Sequence, residues 1–172
     1  MQYIAYITKH SWRIEMVTNK EVFQMIDHKY ALFGLFFAFH NRLQAVGDSF
    51  YEEITCKQFF LMACMNLFPD APPTMNDLAK IMGCSRQNVK QIVNSLEKKG
   101  FLDIKSDEND KRKQQIFMTE KAFSTAVKYE QKEAEFLKGL FDGVSVQEVD
   151  MAYRIISKME DNLKKMEDTK DE

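Results

Sequence analysis

Between Thr74 and Leu96 two helix-start signals stand close together with a glycine between them, and this segment constrains the chain more than any other. Thr74 with Asp77 starts a short helix that ends at Gly83, and Ser85 caps a second helix that runs to Gly100. Ala79 sits where two helices cross closely, and Gly83 can adopt the positive φ that a tight turn demands. Leu78, Met82, Cys84, Val89, Ile92 and Leu96 then face inward and lock the pair together. The expected unit is a helix-turn-helix.

The second helix of such a pair enters the major groove of DNA. Here it offers Arg86, Gln87, Lys90, Gln91 and Asn94 outward, with Ser85 and Asn88 near its start and Thr74 at the start of the preceding helix. Arg bonds guanine bidentately, Gln and Asn do the same to adenine, and a helix N-terminus holds a phosphate. The alternative is a plain polar helix surface. From Phe101 the periodicity changes: Leu102 and Ile104 alternate with polar residues, Asp107 to Lys111 forms a turn, and Gln114 to Met118 returns. The expected hairpin carries Asp110, Lys111, Arg112 and Lys113 near its tip, a basic cluster suited to the minor groove and its phosphates.

Charge supports this placement. The whole chain has a formal net charge of −2, yet residues 74–118 carry nine Lys and Arg against six Asp and Glu, so the basic excess sits in the middle and the flanks are acidic. At 172 residues, 45% hydrophobic and 29% charged, the chain has a globular composition. No apolar run reaches bilayer length, which argues against a membrane partner, and the start lacks the pattern of a secretion signal. Cys56, Cys64 and Cys84 form no CxxC pair, which fits a reducing, cytoplasmic setting.

Helices flank the helix-turn-helix on both sides. A capping box at Thr18 and Glu21 starts a long first helix to Gly47, apolar nearly all round from Ala31 to Phe39 and therefore in need of cover on several sides. Thr55 with Gln58 starts a second helix, stopped by Pro69. After the hairpin, Thr119 opens a helix through Phe141, and Ser145 with Glu148 caps a last one to about Glu167. The fold class is mainly α with a small β-hairpin wing, a winged helix-turn-helix. The divisions expected are 1–18, an arm of uncertain role; 19–50, a first dimerisation helix; 51–118, the DNA-binding domain; and 119–172, C-terminal dimerisation helices and tail.

Leu78 to Lys80, Ser85 to Val89, Leu96 to Phe101 and the run Asp107 to Arg112 leading into Met118 and Thr119 resemble the multiple antibiotic resistance regulator (MarR) family of winged-helix transcription factors. The resemblance spans Glu21 to Met166, and Met118 stands where the family has Leu. It implies that Asp110 orients the wing, that Arg112 enters the minor groove, and that the terminal helices build a homodimer. Such a dimer binds a pseudo-palindromic operator in double-stranded DNA, with half-sites about ten base pairs apart. The family default is a repressor released by a small ligand, here an aromatic or phenolic effector held by Phe33, Phe36, Phe37, His40, Phe59 and Met62. Those side chains also read simply as core and dimer interface.

Thiol sensing is a further reading, in which Cys56 gains thiolate character beside Lys57 at a helix start. His10, His28 and His40 are scattered, so no metal site is expected, and no cofactor or catalysis is implied. A winged helix used only for protein contacts is the alternative, and it leaves Arg86, Lys90 and Arg112 without a purpose.

Overall fold

The structure, a computed structural model, describes residues 27–106, 111 and 113–169. Among them run α1 (His28–Asp48), α2 (Cys56–Met65), α3 (Met75–Met82), α4 (Arg86–Lys98), β1 (Leu102–Ser106), β2 (Gln114–Met118), α5 (Glu120–Leu140) and α6 (Val146–Asp168). The fold is mainly α with one two-stranded antiparallel sheet. The chain divides into two compact units, one through Phe123 and one from Ser124 onward.

In the first unit the caps sit where the sequence places them. Thr55 and Thr74 each form a full capping box, with Gln58 and Asp77 respectively, and Ser85 Oγ accepts from the Asn88 amide at 3.2 Å. Each such cap is worth about 1 kcal/mol. Gly83 has φ 58° and ψ 39°, a left-handed conformation that lets the Cys84 amide reach the Ala79 carbonyl at 3.1 Å. Only Gly83, Cys84 and Ser85 therefore separate α3 from α4.

The core of this unit joins Leu61, Met62, Cys64 and Met65 of α2 to Leu78 of α3, Val89, Val93 and Leu96 of α4, and Phe101, Leu102 and Ile116 of the wing. Met82, Cys84 and Ile92, expected as full core residues, are only half-buried against it, whereas Val93 is completely buried. The strands pair in register from Leu102 opposite Met118 to Ser106 opposite Gln114. The Ile116 amide also donates to the Pro73 carbonyl at 3.0 Å, and Thr74 bridges Gln115. The end of the Pro-rich turn thus serves as a third, one-bridge edge for the wing and ties it to the start of α3.

α1 is capped by Asp27, whose carboxylate accepts from the Lys29 amide at 2.9 Å. The described helix accordingly begins at His28, and the start expected at Thr18 and Glu21, like the arm, lies outside the described residues. Tyr30, Phe33, Leu35, Phe37 and Phe39 are exposed along it. Its far end packs on the start of α2: a Cβ at the buried Gly47 would lie 2.6 Å from Cys56 Sγ.

The second unit contains most of α5, which begins before Ser124, and all of α6. Ser145 and Glu148 close a capping box at the start of α6. Along that helix Val149, Ala152, Ile156, Met159, Leu163 and Met166 recur at alternating spacings of three and four residues, the a/d repeat of a coiled-coil seam. Ile156, Leu163 and Met166 are at least half exposed. No described helix is long and apolar enough to cross a membrane.

Candidate nucleic-acid interface

α4 is amphipathic in the way a groove-reading helix must be. Val89, Val93 and Leu96 are fully buried on one side. Arg86, Gln87, Lys90 and Gln91 are exposed on the other, while Asn88 and Asn94 are half-buried. Ser85 is exposed at the N-terminus; its oxygen accepts from Asn88, and its O–H stays available to a phosphate oxygen. The face opposed to the core is therefore a row of long donors and amides on a rigid support.

Thr74 stands differently. Its hydroxyl donates to Asp77 Oδ2 at 2.7 Å and accepts from the Asp77 amide at 3.3 Å, so its single O–H donor is engaged by the cap. On the wing, Lys111 and Lys113 are exposed, and Asp110 and Arg112 lie outside the described residues. Lys105 on β1 holds its ammonium 5.0 Å from the centre of the Phe117 ring.

The N–H and O–H of Thr74 hold the Asp77 carboxyl below its ordinary value of 3.8, and Lys113 and Lys80 add a smaller attraction. Lys113 is thus near enough to α3 for the wing and the first helix of the pair to share one electrostatic environment. A carboxyl whose folded value is depressed contributes stability that is complete above its unfolded value and is lost as pH falls through the folded one. Asp77→Asn is accordingly expected to be less stable than the parent near neutral pH, with the difference beginning to shrink below about pH 4 and closing only as pH falls through the lower folded value. Unfolding midpoints across that range check this, and a difference independent of pH would contradict it.

The residues expected to hold an aromatic effector are only partly brought together. Phe33 and Phe37 form an edge-to-face pair on α1 with ring centres 5.2 Å apart, both well exposed, and His40 is exposed on the same helix. Phe36 is half-buried; Phe59 stacks on Tyr51 at 4.9 Å. Met62 lies in the core of the first unit, where it fills space among α2 neighbours.

For Cys56 the environment runs opposite to the expected one. Burial raises its thiol above the ordinary value, and the Asp48 carboxylate raises it further. That carboxylate accepts the Cys56 amide at 2.7 Å, so it stays beside the sulfur. A raised thiol is the opposite of the stabilised thiolate that a place beside Lys57 suggests. Cys64, in the core, is raised by burial as well.

One polar residue behind α4, Gln58, makes a contact that its place in the sequence does not show. Gln58 is 7% exposed, and its amide connects α2 to the C-terminal half of α4. Its position in a capping box is visible in the sequence; its partner Ser95 is 37 residues away and is not.

Comparison with known proteins agrees with this geometry. Residues 60–113, which include α3, α4 and β1 and end just before β2, match the model of the MarR family. Among solved structures, the Staphylococcus aureus MepR–DNA complex is similar with a TM-score of 0.65 at 21% identity, over 75% of this chain and 94% of that one. A MarR/EmrR-family transcriptional regulator from Acinetobacter sp. ADP1 gives 0.71 at 17% identity, over 81% and 99%. The organohalide-sensing regulator RdhR in its 2,4-dichlorophenol-bound form gives 0.71 at 16%, over 87% and 88%. Residues 60–113 thus match the MarR family model, and the chain has the fold of the solved MarR-family transcriptional regulators to which it is similar.

Proposed function

We propose that the protein is a sequence-specific regulator that binds double-stranded DNA as a homodimer. The observation that carries this is α4, with Arg86, Gln87, Lys90 and Gln91 exposed opposite a fully buried apolar side, directly after a three-residue turn. Residues 51–118 supply the DNA contacts, with α4 as base reader and Lys111, Arg112 and Lys113 as the wing's contacts to phosphates and minor groove. Residues 19–50 and 119–172 supply the dimer. The exposed aromatics of α1 and the heptad seam of α6 support that assignment, because a monomer leaves them in water.

Repression released by a small phenolic effector is the finer reading, supported by the dichlorophenol-bound relative and by the aromatic surface of α1. Duplexes selected by the protein from a random library provide the test. Arg86→Ala is expected to change base preference, at a cost of about 1–3 kcal/mol on the preferred duplex. Arg112→Ala is expected to weaken binding to all duplexes alike and to lower the salt slope by about one. The reverse pattern would exchange the two roles. The same titration with simple phenols present should lower affinity, and unchanged affinity removes the effector.

A further inference from the structure

The face of α4 that points away from its exposed donors is held by a polar latch as well as by apolar packing. Gln58, almost completely buried, donates from Nε2 to Ser95 Oγ at 2.9 Å and accepts at Oε1 from Lys99 Nζ at 3.1 Å and the Thr55 amide at 3.1 Å. Lys99 Nζ also donates to the Glu53 carbonyl at 2.7 Å. The Lys99 carbonyl in turn accepts from Lys121 Nζ at 3.1 Å, and that ammonium pairs with Glu53 Oε2 at 2.8 Å and lies 4.3 Å from the centre of the Phe101 ring. The C-terminal end of the helix is thereby tied to the start of α2 and to the start of α5.

Apolar packing alone specifies such a helix loosely, since Val and Leu side chains tolerate small rotations and slides. Directional hydrogen bonds do not, and a buried amide leaves a large penalty when a partner is lost. Base reading is sensitive to just those rotations, because a bidentate contact needs two donors in register with one base edge. Phosphate contacts by long lysines are far more tolerant.

We propose that Gln58 and Ser95 are positioning residues for base recognition: their hydrogen bond sets the rotation of α4 about its axis, and so sets sequence preference rather than overall DNA affinity. This rests on the DNA-binding reading above. Ser95→Ala is the cleanest probe, since Ser95 is half-buried on a helix that tolerates Ala well. Gln58→Leu removes the same bond from the other side. Gln58→Glu supplies the rescue: a Glu at this position keeps the capping box and attracts Lys99, and the Ser95 hydroxyl can turn to donate to it.

The experiment measures affinity for a duplex selected by the wild-type protein and for a scrambled duplex, well below each variant's unfolding midpoint. In Ser95→Ala and Gln58→Leu the preference for the selected duplex is expected to fall about tenfold with scrambled binding unchanged, and Gln58→Glu is expected to retain it. An unchanged preference in both latch-breaking variants would overturn the proposal, as would an equal loss on both duplexes. A wild-type protein with no preferred duplex would instead remove the DNA reading beneath it.

Discussion

Phe101→Ala is expected to lower the unfolding free energy by about 3–5 kcal/mol, the range for emptying a buried aromatic site. Phe101 is fully buried where α4 hands over to the wing. Gly100, at φ 78°, turns the chain there, and the Phe101 amide bonds the Leu96 carbonyl at 2.9 Å. The ring touches the shared core of α2, α3, α4 and both strands, so its loss leaves a cavity that no single element can close. The Lys121 ammonium would lose the ring beneath it, keeping Glu53 and the Lys99 carbonyl. Urea unfolding of wild type and variant measures the difference; a loss below about 1 kcal/mol would contradict the placement of Phe101 at the centre of this unit.

Ile156→Glu is expected to turn a dimer into a monomer and to lower apparent DNA affinity by about 100-fold or more, because two linked readers engage a two-fold site with far greater avidity than one. Ile156 lies in the middle of the α6 seam and is 50% exposed in the single chain. Glu is a good helix former, so the helix itself tolerates the change. A carboxylate placed between two copies of the seam must lose its water, at a cost of several kcal/mol. Sedimentation equilibrium together with a DNA titration reads both effects, and a variant that stays dimeric would place the interface elsewhere.

Most of the fold was legible because its punctuation is chemical and local. Thr55, Thr74, Ser85 and Ser145 cap helices at the expected positions, and Gly83 and Gly100 take the positive φ that ends α3 and α4. What stayed hidden depends on partners distant in sequence. Nothing near Gln58 announces that it is buried against Ser95, since a glutamine on a helix ordinarily faces water. The bridge from Thr74 to Gln115 makes the end of a proline turn into a strand edge only because β2 lies beside it. Ile92 and Val93 are neighbours on α4, and of the two Val93 is completely buried while Ile92 is half-buried against the shared core.

The candidate site divides the same way. Arg86, Gln87, Lys90 and Gln91 follow from helical periodicity alone, and the structure leaves all four exposed. The place of Thr74 at a helix start is visible in the sequence, whereas the engagement of its O–H by Asp77 is seen only in the structure. The sequence shows Cys56 beside Lys57, while burial raises its thiol and Asp48, eight residues earlier across the turn between α1 and α2, raises it further.

Specific recognition of DNA by the α4 face is tested most directly by titrating the purified protein against duplexes drawn from the flanks of its own gene. Random-sequence duplex serves as competitor, at several salt concentrations. A dimer that selects one of those duplexes over the competitor, with log affinity falling linearly as log salt rises, is the predicted result. Binding that shows no preference for any of them, even at low salt, would contradict it and leave the winged helix as a module for protein contacts.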